Sequence, residues 1–184
     1  MVDQRISIVK SHSSRKVEWL LFLILVIAFS YFFPRWADWS QNSRLDLTLA
    51  IVDKGTLDIE DYYTNTGDYA VFEGVHYTDK APGPSLLAVP VYMLVRPVLQ
   101  SAPMQSVLER IANNPAFADT LEAGGTGLQV EKIYNAAVLY IITFAISVVP
   151  SAILGVWLFG FLQRVGTGLV WSAIVVLIYG LGTS

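Results

Sequence analysis

Ile133-Tyr134-Asn135-Ala136-Ala137-Val138-Leu139-Tyr140-Ile141-Ile142-Thr143-Phe144-Ala145-Ile146-Ser147-Val148-Val149-Pro150 opens a run in which the next charged residue is Arg164. The uncharged stretch from Ile133 to Gln163 has 31 residues, about 46 Å as an α-helix. A bilayer's hydrocarbon core is about 30 Å thick. The run therefore predicts a long transmembrane helix over 133–163, tilted or protruding and kinked near Pro150. Downstream, Gln163-Arg164-Val165-Gly166-Thr167-Gly168 reads as a tight turn, and 164–184 as a further transmembrane helix. Ser184 falls within that helix or at its end.

Upstream, 100–132 is a polar linker with a surface helix at Met104 to Ile111 and breaks at Asn113-Asn114-Pro115 and Gly124-Gly125-Thr126-Gly127. The second break lacks the Lys-Ser/Thr and the preceding strand of a phosphate-binding loop. Residues 81–99 are apolar but contain Pro82, Pro84 and Pro90. Ala81 to Val95 reaches only about 22 Å, so the segment is a short Pro-rich span, lengthened by a snorkelling Arg96, or a re-entrant element. Trp19 to Phe33 is uncharged, and 17–34 is the first predicted transmembrane helix, following a cytoplasmic tail over 1–16. Its exit, Tyr31-Phe32-Phe33-Pro34-Arg35-Trp36, has an aromatic belt and no small-residue cleavage site. Arg5, Lys10, Arg15 and Lys16 precede it, whereas Arg35 to Lys80 carries four Lys/Arg against nine Asp/Glu. This places the N-terminus inside and the loop outside.

Composition agrees. The chain is 54% hydrophobic and 15% charged, against about 45–50% and about 25% in soluble domains. A net charge of −3 gives no basic field for nucleic acid. The absence of Cys excludes disulfides and thiolate chemistry. His12 and His76 lie on different segments, which argues against a haem held by two His ligands. In a redox complex this chain would not carry the electrons.

The external loop domain spans 35–80. Ser43 to Lys54 places Leu45, Leu49 and Val52 on one helical face and Asp46, Ala50 and Asp53 on another, with Gly55 as C-cap. This predicts an amphipathic helix lying along the membrane surface. Leu57-Asp58-Ile59 is expected to be extended, and Tyr69-Ala70-Val71-Phe72, Glu73-Gly74 and Val75-His76-Tyr77 to be strand, turn and strand. Tyr62, Tyr63, Tyr69, Phe72 and Tyr77 face headgroups or stack on a sugar. Gly155, Gly160, Gly166, Gly168 and Gly180 allow close helix contact. The fold class is an all-α integral membrane protein, with three or four transmembrane helices and an external loop domain made of a surface helix and a small β-hairpin.

Four pieces of this loop resemble, in order and spacing, the first external loop of the GT-C superfamily of membrane glycosyltransferases, such as protein O-mannosyltransferases and lipid A aminoarabinose transferases. They are Asn42-Ser43-Arg44, Gly55-Thr56-Leu57-Asp58-Ile59, Thr66-Gly67-Asp68 and Tyr77-Thr78-Asp79-Lys80-Ala81-Pro82-Gly83. The resemblance covers roughly residues 17–184 as an N-terminal part. It implies an external site between loop and membrane, a bacterial cytoplasmic-membrane location, and sugar transfer from a polyprenyl-phosphate carrier. A lipid-linked sugar is then the donor; no bound cofactor or metal is assigned.

By the same resemblance Asp79 occupies the acidic position of an Asp/Glu-Lys-Pro motif and is the candidate base on the acceptor hydroxyl. Lys80 faces the departing phosphate, and Asp68 and Arg44 are of second rank. Read as structure alone, Asp79 caps the helix that follows and Lys80 sits at the headgroups. Where many members carry an Asp-Glu pair, this chain has Gln41 and Asn42, which cannot act as a base or bind a divalent cation strongly. Asp38 or Asp46 would have to substitute. The competing expectation is a non-catalytic accessory subunit of a larger membrane complex, possibly energy-transducing, with other membrane subunits and the lipid bilayer as partners.

Overall fold

The computed structural model describes residues 12–31, 38–114 and 130–182. Residues 1–11 of the expected tail over 1–16, the belt from Phe32 to Trp36, and the breaks at Pro115 and Gly124–Gly127 lie outside the described residues; the rest of that tail begins α1. The described chain is mostly helical with one two-stranded sheet. In order it comprises α1 (His12–Ser30), α2 (Trp39–Leu49) continuing as a π-helical turn (Ala50–Lys54), a 3-10 turn (Tyr63–Asn65), β1 (Tyr69–Phe72), β2 (Val75–Thr78), α3 (Gly83–Leu99), α4 (Ala102–Ala112), α5 (Val130–Thr143), a second π turn (Phe144–Val148), α6 (Val149–Arg164) and α7 (Leu169–Gly182). It divides into two compact units, Met1–Phe32 with Ser147–Ser184, and Phe33–Ile146.

In the first unit α1, α6 and α7 pack around Leu21, Leu25, Ala152, Phe159 and Val176. Leu25 is fully buried because Gly155 and Gly180 leave it room; a Cβ on either glycine would collide with its side chain. The expected close packing at glycine thus holds at these two positions, while Gly160 and Gly168 face open space. Gly180→Leu should lower stability by about 2 kcal/mol through overpacking, read as a lower melting temperature in detergent; an unchanged melt would refute the tight contact. Ser14 Oγ donates to Gln163 Oε1 at 3.0 Å, tying the start of α1 to the end of α6. There α6 closes on a Schellman motif. Gly166 has φ +91°, its N–H reaches the Gln163 carbonyl at 3.2 Å, and the Thr167 N–H reaches Leu162 at 3.0 Å.

Ile133–Arg164 is one helix of 32 residues, long and apolar enough to cross a membrane. Pro150 cannot donate a backbone hydrogen bond, and the π turn at Phe144–Val148 directly precedes its helix start. The distortion expected near Pro150 is therefore present as a bulge. α3 and α4, bent by 88° at their junction, count as a second crossing only if the pair is one broken span. α1 carries Arg15, Lys16 and Glu18 in its first turns, and α7 has 14 residues. Length and composition thus support one or two crossings among the described residues, short of the three or four expected.

The second unit holds the loop domain. Its core joins Leu45 and Leu49 of α2, Ala88, Tyr92 and Leu99 of α3, and Val138 and Ile142 of α5. Asp38 caps α2, accepting from Ser40 N at 3.0 Å, so this helix starts before the predicted Ser43. Gly55, with φ +73°, closes the following π turn as expected. The surface-helix expectation for 43–54 does not hold. Leu45 through Ala50 are all buried, because α3 covers one face and the turn at Tyr63–Asn65 covers the other. The hairpin is as predicted. Tyr69 pairs with Thr78 and Phe72 with Val75, across Glu73 and Gly74, both at positive φ (51° and 82°), the requirement of a two-residue turn. The expected extended segment makes one backbone bond to the outer edge of β2, Ile59 N to the His76 carbonyl at 2.9 Å. Glu60 Oε2 then accepts from His76 N at 3.0 Å and lies 2.8 Å from its Nδ1.

Candidate functional site

The register of the hairpin decides where the candidate residues meet. Tyr69 opposite Thr78 is the last pair at its base, so Asp68 and Asp79 emerge side by side. Two like charges so placed repel. Lys80 lies between them, its Nζ 2.9 Å from Asp68 Oδ2 and 3.2 Å from Asp79 Oδ1. The bond to Asp68, joined by that to Asp79, holds the Lys80 ammonium above the usual lysine range. Three of the residues singled out from sequence therefore form one ion cluster at the entrance to α3. Asp79 does not cap that helix; Pro82 takes the cap position without a side-chain bond.

The cluster is fixed to α2 through Thr78. Its hydroxyl lies 2.7 Å from Ser43 Oγ and accepts from Lys80 N at 3.2 Å. Arg44 is the next residue on α2. Its Nη1 donates to Ser40 Oγ at 3.1 Å, its Nε is buried without a hydrogen bond, and among the described residues no carboxylate pairs with it. The Arg44 carbonyl accepts from Ser85 Oγ at 2.9 Å and from Thr48 Oγ1 at 3.0 Å. Thr48 Oγ1 also lies 3.2 Å from the Ser85 carbonyl. α2 and α3 are stitched here backbone to side chain.

Asp46 lies apart from the ion cluster and is fully buried. Asn65 donates to its Oδ1 at 3.2 Å, while Oδ2 has no hydrogen-bond partner. Burial pushes the Asp46 carboxyl up to about 7, only partly opposed by the Asn65 bond. A group of that kind exchanges a proton near neutrality. Asn42 spends its amide on the Asn65 carbonyl at 2.9 Å, and Gln41 Oε1 is buried without a partner. Asp38 is an exposed cap remote in role from these groups.

Sequence reasoning missed a second polar centre one helical stretch further along α2. Asp53 Oδ2 accepts from Tyr62 at 3.3 Å and from the buried Tyr92 at 3.1 Å. Arg96 Nε lies 2.8 Å from Asp53 Oδ1, an ion pair by distance although neither atom is aligned for a hydrogen bond. Tyr92 also meets Tyr134 at 3.0 Å. Burial, followed by the Asp53 charge, pushes the Tyr62 phenol up to about 12. The available signal was Asp53 seven residues beyond Asp46, and so on the same helical face. Arg96, offered above as a snorkelling residue, approaches this carboxylate. Of the tyrosines, Tyr63 stacks on His76 with centroids 3.8 Å apart and Tyr69 meets both edge-on.

No protein-family model matches the chain, and searches of curated proteins and of solved structures find no match. The functional reading therefore rests on the residues themselves. Among the described residues no group of three or more His, Asp or Glu is placed to hold a metal ion. What the Asp68–Lys80–Asp79 cluster offers is one fixed cation flanked by two carboxylates. Asp79 is the more exposed of the two, at 38% of its side chain.

Proposed function

We propose that this chain is a GT-C-like membrane module whose external loop serves sugar transfer from a polyprenyl-phosphate donor. The observation carrying this reading is the meeting of Asp68, Asp79 and Lys80 where the hairpin enters an apolar helix. In the proposed step Asp79 takes the proton of an acceptor hydroxyl, whose oxygen forms a bond to the anomeric carbon. The bond from that carbon to the lipid phosphate breaks, and the phosphate leaves with the electron pair, its charge met by Lys80. Membrane embedding through the first apolar run, the 133–164 helix and the final apolar run belongs to the same proposal.

Asp79→Asn, in the protein purified from its native membrane, should cut transfer of labelled sugar from a polyprenyl-phosphate donor about 100-fold. The fold should survive, because Asp68 still pairs with Lys80. Unchanged transfer would overturn the proposal. One observation favours the second reading, an accessory subunit: the Asn42 amide, at a position where many GT-C members have an acid, is committed to holding Asn65. Stoichiometric co-purification with partner subunits, without transferase activity, would establish that reading instead.

A further inference from the structure

The polarity of α3 is inverted. Its buried face, Ser85, Ala88, Tyr92 and Leu99, includes two polar side chains, whereas its exposed face is wholly apolar. That face runs Leu86, Leu87, Pro90, Met93, Leu94 and Val98, with Leu87 64% and Leu94 78% exposed. A helix apolar toward the outside contacts hydrocarbon or another protein. α4, bent by 88° from α3, exposes Val107 and Ile111 but also Glu109 and Arg110.

What lies behind α3 decides how it can meet a membrane. α2 runs parallel to it, since Thr48 meets Ser85 and Asp53 meets Tyr92 and Arg96. On the far side of α2 the loop after Gly55 adds Asn65 on Asp46, Tyr62 on Asp53, and the exposed ion pair of Lys54 and Asp61 at 2.7 Å. Ionisable groups thus back α3 along its whole length, from Asp68, Asp79 and Lys80 at its start to Arg96 near its end. If α3 crossed the bilayer, these groups would have to enter the hydrocarbon beside it, at about 2.5–3.5 kcal/mol for each charge near the centre. If α3 lies flat, its apolar face enters the interface and every charge stays in water.

We infer that α3 forms a monotopic face seated in the membrane interface on the outer side, with the bilayer itself as occupant, and that residues 81–112 do not cross. The described residues 38–114 then stay on one side. On this inference the membrane-surface role expected of residues 43–54 falls to α3. This inference rests on the membrane reading above and not on the sugar chemistry.

Because the chain has no Cys, single-cysteine probes are available. Leu87→Cys and Leu94→Cys, each carrying an environment-sensitive fluorophore, are reconstituted in phosphatidylcholine–phosphatidylglycerol vesicles containing lipids spin-labelled at shallow and deep positions. Ile153→Cys on the exposed side of α6 is the control. A flat helix gives both α3 probes the same shallow depth. A crossing helix separates them by about 10 Å and overturns the inference. Quenching at Ile153 but at neither α3 probe means that protein covers the face, which also overturns it and leaves the membrane reading intact. Loss of quenching at all three sites refutes the membrane reading itself.

Discussion

Asp46→Asn should make the protein more stable at pH 8 and slightly less stable at pH 4. In the folded protein this carboxyl titrates at about 7, against an ordinary 3.8. Between those values the folded state holds a proton that the unfolded chain has released, so stability falls as pH rises through the window. Above pH 7 the full cost is present, about 4 kcal/mol at 1.36 kcal/mol per unit. Asparagine removes that cost and keeps an oxygen for the Asn65 amide. It also places an amide where Oδ2 has no partner, at about 1–2 kcal/mol. The net expectation is a gain of about 2–3 kcal/mol at pH 8 and a loss of about 1 kcal/mol at pH 4. Denaturation midpoints in detergent at both pH values check the change of sign. A variant whose stability tracks the parent at every pH would show that Asp46 is not held protonated near neutrality. If activity were lost while stability rose, Asp46 would be a functional group maintained against folding.

The hairpin was legible because it is local. Glu73-Gly74 between two short β-prone runs fixes the turn, and the turn fixes the register. From that register the pairing of Asp68 with Asp79 also followed in principle, since both are one step beyond the last rung. The burial of α2 was not legible. Leu45, Leu49 and Val52 suggest a one-sided helix, and only the return of the chain at Tyr63–Asn65 shows that the opposite face is covered too. Asp46 and Asp53 look like solvent-facing charges in a periodicity argument, yet each is held by residues far along the chain, Asn65 in one case and Tyr92 with Arg96 in the other. Hydropathy likewise leaves the number of crossings open. It records that α3 is apolar, but not that α2 and its ionisable groups lie against it. The 133–164 helix shows the same limit. Its 32 residues read as one apolar run, yet its start, through Ile146, belongs to the loop unit, where Val138 and Ile142 join the core.

Asp53→Ala should destabilise the loop unit by about 3 kcal/mol, the larger loss expected among its polar contacts. The truncation removes the acceptor of two phenols and the counterion of Arg96 at once. Tyr92 is 1% exposed and keeps only its bond to Tyr134. Tyr62 loses its Asp53 bond. Breaking a buried pair from one side costs about 3–5 kcal/mol, and the lower end applies because Arg96 is 37% exposed and water can reach it. Asp53→Asn retains an oxygen for the phenols and should cost about 1 kcal/mol. The decisive comparison is the double variant Asp53→Leu with Arg96→Met. Removing both charges leaves no unpaired ion, so its melting temperature should recover the part of the loss due to the broken ion pair, while the phenols stay without the Asp53 acceptor. Additive losses would mean that the 2.8 Å approach of Arg96 to Asp53 carries no coupling, and that the cluster is held by the tyrosines alone. Recovery would show that the ion pair fixes the position of α3 against α2 rather than adding net stability. That outcome would also bear on the membrane face proposed for α3, because the same pair holds Arg96 toward α2 and the exposed positions of α3 carry no charge.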